Sequence, residues 1–246
     1  MPYLNRLADQ NGLATQCYAN THPSIGNYFM LTAGQIITND DSFTGTVSAN
    51  NLVRILNANG KSWKSYAESL PSTGYLGGDI FPYIKRHNPF AFFSDVLTTA
   101  QASRIVPSWQ LANDISSGQL PQFAFVAPNA EHDGHDCPGG GDSCSDDVKL
   151  GAVDTWLQQN IGPLLSNSEF QQNGLLIVVF DEADDSDSAG GGGHIAMVVV
   201  SGKAKVGYRS TTRYQHQSTL RLILQAIGLT EFPGAAASAP DMLEFF

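Results

Sequence analysis

The sequence predicts an α/β fold in which a mostly parallel central sheet is flanked by helices on both faces. Three segments, 122–127, 175–180 and 195–200, are almost wholly apolar and rich in β-branched or aromatic residues, as strands buried on both faces are. Helical patterns lie between and after these segments, and this alternation is typical of parallel sheets. The 246 residues suit one domain spanning 1–246.

Glycines mark the ends of several predicted helices. Gly12, Gly34 and Gly228 each follow an apolar helical pattern, where helices commonly end. In order, the predicted elements are a helix over 2–11, a strand over 13–19, a helix from 23 to 33, a surface excursion over 35–49, a helix over 50–59, a strand over 62–67, an irregular region over 68–104, a helix over 107–118, a strand over 122–127, a helix over 147–160, strands over 175–180 and 195–200, and a helix over 218–227.

Composition and charge disfavour several classes of protein. The formal net charge is -10, from 13 basic and 23 acidic residues. A nucleic-acid partner is therefore not expected, because such proteins present a basic surface. No apolar run approaches the roughly 18 residues of a membrane-spanning helix, so no transmembrane segment is expected. Residues 1–6 lack the apolar core of a signal peptide.

The three cysteines fall into two groups. Cys137 and Cys144 flank a loop of proline, glycine and polar residues, where a disulfide is predicted and two free thiols are the alternative. A disulfide would indicate an oxidising compartment. Cys17 lies in an apolar segment and is predicted to be a buried thiol.

Ser24 lies at the predicted N-terminus of a helix that runs into an apolar segment. The free amides and the dipole of a helix N-terminus favour an anion. A serine hydroxyl at this position could therefore attack a phosphate that the same amides hold. The alternative is that Ser24 is only an N-cap, the role that serine most often has there.

Asp181 and Glu182 end the apolar segment 175–180. Adjacent carboxylates at the mouth of a buried strand repel each other unless a cation or protons intervene, and their oxygens suit a divalent metal ion. A solvated turn is the alternative, because Asp184, Asp185 and Asp187 follow closely. Those three acids are predicted to form a solvated loop or, less favourably, a calcium loop.

A second polar cluster, residues 131–136, follows the predicted strand 122–127. Within it, Asp133 and His135 flank Gly134 and could bind metal or phosphate, or move a proton. His216 opens the last helix, and His87 precedes Asn88; each is a weak signal alone. Together with Ser24, these residues are the parts of a metal-assisted phosphoryl-transfer site.

Six short motifs, in order along nearly the whole chain, resemble those of the phosphoesterase family of phospholipases C and acid phosphatases, within the alkaline-phosphatase-like superfamily. The motifs are Thr-His-Pro-Ser-Ile-Gly-Asn-Tyr at 21–28, Tyr-Ala-Glu at 66–68, His-Asn-Pro at 87–89, Pro-Asn at 128–129 with Asp-Gly-His-Asp at 133–136, Phe-Asp-Glu at 180–182 and Tyr-Gln-His-Gln-Ser at 214–218. Each motif is weak alone, and their order makes the set specific.

The resemblance implies a divalent-metal-dependent esterase that forms a covalent phosphoserine or phosphothreonine intermediate. It implies small phosphate esters or phospholipid headgroups as substrates, and a secreted or periplasmic location. Ser24 matches the position of the family's nucleophile, and Asp181 and Glu182 match its metal ligands. Asp133, His135 and His216 match groups that bind phosphate or protonate the leaving group, and Asn27 and His87 match lesser pocket residues.

One departure concerns the start of the sequence. Members of this family begin with a strand that ends in Glu-Asn and supplies further metal ligands, whereas this sequence opens at a point that follows that motif. The expectation is either a fragment of a longer protein or a member with a damaged site. In either case, we expect poor hydrolysis of a simple aryl phosphate, and a gain of about 10²–10⁴-fold if the strand is restored.

Two other functional classes remain open from the sequence. A non-catalytic member of the family could keep the fold and bind phosphate or a cation. A structural secreted domain could use the acidic loop at 184–187 to bind calcium.

Overall fold

The computed structural model describes residues 1–246. The α-helices are α1 (Pro2–Gln10), α2 (Ser24–Ala33), α3 (Leu52–Ala58), α4 (Ser94–Leu97), α5 (Gln110–Ser117), α6 (Asp146–Asn160), α7 (Gly162–Leu165), α8 (Ser168–Asn173) and α9 (His216–Ala226). The strands are β1 (Gly12–Ala14), β2 (Cys17–Tyr18), β3 (Trp63–Ala67), β4 (Ile105–Pro107), β5 (Phe123–Ala127), β6 (Leu176–Val179), β7 (Met197–Val200), β8 (Arg209–Ser210) and β9 (Tyr214–Gln215).

The strands form three sheets. One has the order β4-β3-β5 and is wholly parallel, with Ser65 opposite both Ile105 and Phe125. The second has the order β6-β7-β1-β8 and is mixed, because β7 runs antiparallel to both β6 and β1. The third is the short parallel pair of β2 and β9. Helices cover both faces of the two larger sheets, as predicted.

The sheet differs from the sequence-based prediction in two respects. The expected single, mostly parallel sheet is divided between β5 and β6, and β7 is antiparallel to its neighbours. A cavity lies between the edges of β5 and β6 and is lined by both strands; we call it the β5–β6 slot. Segment 175–180, predicted to be buried, is only half-buried because β6 is an edge strand, whereas the interior strand β7 is buried throughout.

The core explains why residues 68–104 are ordered despite their irregular sequence. They form short 3₁₀ turns and α4 and insert aromatic side chains into the largest hydrophobic cluster. Phe90 packs against Trp63 of β3, and Phe92 packs edge-on against Phe29 of α2. Aromatic burial of this size supplies much of the stability of such a region and positions α2 beside the sheet.

Helix α1 is attached to α6 by a buried carboxylate. Asp154 of α6 accepts hydrogen bonds from the backbone N–H groups of Tyr3 at 2.8 Å and Leu4 at 2.9 Å. These amides lie in the first turn of α1, where N–H groups have no partner within the helix and the dipole favours negative charge. Arg209 also donates to the carbonyl oxygen of Ala8 near the other end of α1.

The predictions for the cysteines are confirmed. Cys137 and Cys144 form a disulfide, with their Cα atoms 5.8 Å apart. Cys17 is a free, fully buried thiol beside Met197. No helix is both long enough and apolar enough to cross a lipid bilayer.

Candidate active site

Ser24 is the first residue of α2, and its hydroxyl lies against a carboxylate. The Oγ atom donates a hydrogen bond to Oε1 of Glu182 at 2.6 Å. The residue in the cap position is Pro23, and no side chain caps this helix end. The interpretation of Ser24 as only an N-cap is therefore wrong, because its hydroxyl is engaged with Glu182.

Glu182 also binds His22, from the loop that precedes α2. Its Oε2 atom lies 2.7 Å from His22 Nδ1, and the other ring nitrogen lies 3.0 Å from the carbonyl oxygen of Asp187. Burial lowers the pKa of His22, but the hydrogen bonds with Asp187 and Glu182 outweigh it, so the pKa is raised overall. One carboxylate thus joins the serine to an imidazole whose pKa is raised.

The N-terminus of α2 is covered by the loop 35–49, which the sequence predicted to be a surface excursion. Asp41 in this loop accepts the N–H of Ile25 at 3.2 Å and pairs with Arg86 at 3.0 Å. The N–H of Ile25, one of the helix amides that were expected to be free to bind a phosphate, therefore binds a carboxylate instead. Nothing in the local sequence pattern indicated this contact, because the loop has no regular periodicity.

Asp181 and Asp133 bring two further carboxyl groups into the same buried region. Burial, and then the charge of Glu182, raises the pKa of Asp181 to about 7. Burial raises the pKa of Asp133 to about 6. The Oδ2 atom of Asp181 is buried without a hydrogen-bond partner. These carboxyl groups are therefore short of a compensating positive charge.

His216 is the first residue of α9, and its ring is bound by a backbone carbonyl group just after β6. Its Nε2 atom lies 2.6 Å from the carbonyl oxygen of Asp181, and its buried Nδ1 atom has no partner. Burial lowers the pKa of His216 to about 4. Because a carbonyl oxygen only accepts, Nε2 carries the hydrogen and Nδ1 presents a lone pair. This form suits a metal ligand or a hydrogen-bond acceptor better than a proton donor.

His87 is buried beside Asp133. Its Nδ1 atom lies 3.6 Å from Oδ2 of Asp133, which is too long for a direct hydrogen bond, and its ring stacks on Tyr28. Burial, and then the charge of Arg86, lowers the pKa of His87 to about 3. The imidazole is therefore neutral, and its Nδ1 atom has no partner.

Asn27 and His135 are placed differently from the other predicted residues. The side chain of Asn27 is fully buried and bonds the backbone of Asn20 and Thr21 through both its oxygen and its nitrogen. These contacts fix the turn before α2, and direct contact with a substrate stays a prediction. His135 is 81% exposed and pairs with Asp136 at 2.9 Å. That hydrogen bond raises the pKa of His135.

The structure thus brings Ser24, Asp181, Glu182 and His216 together through direct contacts, with Asp133 and His87 beside them. His22 and Asp41 also belong to this cluster, although the sequence pattern did not single out either residue. His22 carried a usable signal, since it stands two residues before the candidate nucleophile. Asp41 carried none.

The buried, neutral His87 predicts a pH dependence of stability. Its pKa is about 3 in the folded protein and roughly 6.5 when unfolded, so the unfolded chain binds more protons between these values. The contribution of His87 to stability is therefore full above roughly pH 6.5 and falls as the pH drops below it, by about 2 kcal/mol down to pH 5. The raised pKa values of Asp181 and Asp133 change stability in the opposite direction, equally in the parent and in a His87 variant. In the His87→Gln variant, the loss of stability that protonation of His87 causes is expected to be absent.

Urea unfolding at several pH values measures this difference. His194→Gln is the matched control, because His194 is exposed and lies away from Asp133. A parent chain and a His87→Gln variant that lose stability in parallel below pH 6.5 would contradict the prediction.

The fold is that of the α/β proteins of alkaline-phosphatase type. A solved structure from Vibrio parahaemolyticus, described as a protein in the alkaline phosphatase superfamily, aligns with a TM-score of 0.63 at 14% identity. The alignment covers 97% of this chain and 64% of that one. At this level of identity the likeness shows the fold alone.

The chain belongs to the Phosphoesterase family, whose model matches residues 1–230. An acid phosphatase from Aspergillus fumigatus is 28% identical over 233 residues, covering 91% of this chain and 50% of that protein. A phosphatidylinositol-3-phosphatase from Mycobacterium tuberculosis is 28% identical over 248 residues, covering 100% of this chain and 75% of that protein. The chain spans about half the length of the fungal acid phosphatases that it matches.

Proposed function

We propose that the chain carries the catalytic site of a metal-dependent phosphoesterase, of acid phosphatase or phospholipase C type, that forms a phosphoserine on Ser24. The observation that carries the proposal is the 2.6 Å contact of the Ser24 hydroxyl with Glu182, beside the unpartnered, buried Oδ2 of Asp181. An anionic phosphate cannot approach this group of carboxylates unless a cation offsets their charge. The acid phosphatase and phosphatidylinositol-3-phosphatase relatives support the reaction class.

The donor chemistry of the site fits a divalent ion, although no group of three His, Cys, Asp or Glu side chains stands ready to hold one. Asp181 and Glu182 supply carboxylate oxygens, and His216 supplies an unpartnered ring nitrogen oriented by a backbone carbonyl. When bound, the ion would stabilise the serine alkoxide and the charge on the phosphoryl oxygens.

The residues of the chain have distinct roles in this proposal. Ser24 Oγ forms a bond to phosphorus as the bond to the leaving alcohol breaks, and its proton passes to Glu182, the group to which it already donates. His135, exposed and with a raised pKa, donates a proton to the leaving oxygen. Asp133 and His87 contact the phosphate, and Asn27 holds the turn before Ser24. Water then attacks phosphorus as the bond between phosphorus and Ser24 Oγ breaks; the water gives a proton to His135, and Glu182 returns its proton to Ser24.

The disulfide between Cys137 and Cys144 supports a secreted or periplasmic location for this activity, because such bonds persist in oxidising compartments. Small phosphate monoesters and phospholipid headgroups are the substrate classes that we propose. One of the two relatives named above is an acid phosphatase and the other is a phosphatidylinositol-3-phosphatase, so substrates of both classes belong in the assay.

Hydrolysis of an aryl phosphate, an aryl phosphodiester and phosphatidylinositol-3-phosphate, each with added divalent ions or with chelator, tests the proposal. We expect slow product release, of phosphate from the monoesters and of the aryl alcohol from the diester, that depends on the metal and is abolished by chelation. Release that is unaffected by chelator would contradict the metal requirement. A failure to bind any divalent ion, measured by calorimetry, would contradict the proposed site itself.

A further inference from the structure

Loop 35–49 crosses the N-terminus of α2 and is anchored through its second half. Phe43 packs edge-on against an aromatic side chain of α2, and Val47 pairs with Phe93 in an isolated β-bridge. Residues 38–42, which we call the strap tip, form no helix or strand. The strap tip can therefore leave α2 while the anchor at Phe43 and Val47 stays in place.

Asp41 makes the hydrogen bond and the ion pair that join the strap tip to the protein outside this loop. Its Oδ1 atom accepts the N–H of Ile25 at 3.2 Å, and its Oδ2 atom lies 3.0 Å from Nε of Arg86. The other hydrogen bonds of the strap tip are local, such as those that Asp40 accepts from Ser42. One carboxylate thus provides the polar attachment of the strap tip to α2.

Both partners of Asp41 are groups that bind anions, and both lie beside the proposed site. The N–H of Ile25 is in the first turn of α2, where amides have no partner within the helix and the dipole favours negative charge. It belongs to the peptide group that directly follows Ser24. Arg86 directly precedes His87, and its charge adds to the effect of burial in lowering the pKa of that imidazole. Asp41 therefore occupies an amide and a guanidinium at the border of the proposed phosphate site.

The contacts of Arg86 with carboxylates are incomplete. Its Nε atom is buried, and the 3.0 Å approach to Asp41 lacks the geometry of a hydrogen bond. A second carboxylate, that of Asp79, lies 3.7 Å away, beyond hydrogen-bond distance. A guanidinium binds carboxylates and phosphates best through two parallel N–H groups, and neither Asp41 nor Asp79 binds Arg86 in this way. A phosphate, with more oxygens and up to two negative charges, would satisfy the donors that these carboxylates leave unused.

We propose that Asp41 is a built-in competitor of the substrate phosphoryl group, which displaces it and takes over both the N–H of Ile25 and the guanidinium of Arg86. Arg86 is then a phosphate-binding residue, and the strap tip opens when phosphate enters. The competition lowers the affinity for the phosphate product as well as for the substrate, so it favours the release of product. This inference rests on the proposed function, because the phosphate must bind beside Ser24.

Calorimetric titration with inorganic phosphate, in the presence of a saturating divalent ion, tests both contacts. Asp41→Ala is expected to bind phosphate at least about three-fold more tightly than the parent, because no carboxylate has to be displaced. The matched control is Asp40→Ala, which removes the same charge from the strap tip, leaves both contacts of Asp41 in place and should change the affinity by less than about two-fold. Arg86→Gln is expected to weaken binding at least about ten-fold, whereas Arg104→Gln, the same change at an exposed position, should have little effect.

Amide hydrogen exchange follows the strap tip directly. The N–H of Phe43 bonds the carbonyl oxygen of Asp40 at 2.9 Å and reports whether the tip keeps its turn. On addition of phosphate, exchange at this amide is expected to become at least about three-fold faster in the parent and to stay unchanged in Asp41→Ala, where the tip is already released.

Equal phosphate affinity in Asp41→Ala and Asp40→Ala would overturn the proposal. So would unchanged exchange at Phe43 in the parent, or a parent chain that binds no phosphate. Neither measurement requires turnover. A chain that binds phosphate with release of the strap tip but forms no phosphoserine would therefore contradict the proposed reaction and leave this inference standing.

Discussion

Once the upstream strand ending in Glu-Asn is restored, Ser24→Ala is expected to lower the turnover of an aryl phosphate by at least about 10³-fold, because the variant has no oxygen with which to form the bond to phosphorus. Metal binding is expected to change little, since Asp181, Glu182 and His216 remain. The measurement is the steady-state rate with saturating divalent ion, compared with metal affinity from calorimetry on the same protein. A second readout, the intact mass of the chain after rapid quenching, detects the phosphorylated protein even where turnover is slow.

The matched control for this variant is Ser186→Ala. Ser186 also donates its hydroxyl to a carboxylate, that of Asp184, but it lies in the exposed loop after β6. Its removal is expected to leave the rate within about two-fold, as exposed substitutions usually do. Unchanged turnover in Ser24→Ala, or phosphate found on another residue in that variant, would remove Ser24 from the mechanism.

Asp181→Asn is expected to have opposite effects on function and stability. The amide keeps the shape of the carboxyl group but not its charge, so affinity for a divalent ion should fall by at least about 100-fold and the rate with it. In the absence of metal, the folded protein should gain about 1–3 kcal/mol at neutral pH, because a buried carboxyl repelled by Glu182 has been neutralised.

Calorimetric titration with metal and urea unfolding in chelator measure these two effects separately. Asp185→Asn is the control, since the Asp185 side chain is 95% exposed in the same acidic segment. It should leave both quantities nearly unchanged. An Asp181→Asn variant that binds metal as tightly as the parent would show that the ion, if one binds, lies elsewhere.

The sequence supported the order of elements because their signals are local. Gly34 ends α2 in the left-handed conformation, as the pattern predicts, and the apolar segments became strands. The direction of a strand is not encoded in its own residues, because the valines of β7 suit a parallel or an antiparallel neighbour equally well. Direction depends on the path by which the chain returns to the sheet, and β7 runs antiparallel to its neighbours. The half-buried state of β6 likewise follows from its place at an edge.

The site residues could be predicted where they lie just after a strand or at the start of a helix. Asp181 and His216 follow a strand and begin a helix, positions that the sequence pattern reveals. Their mutual contact, through the backbone carbonyl of Asp181, is tertiary and left no signal. The same holds for Asp41, whose loop reaches the N-terminus of α2 only in the folded chain.

The hydrogen bonds around Asp154 couple two helices that are far apart in sequence. Helix α1 supplies the two N–H groups that compensate a buried carboxylate about 150 positions away. Detaching α1 would leave that charge in an apolar setting without partners, so α1 and α6 should open together, as one cooperative unit.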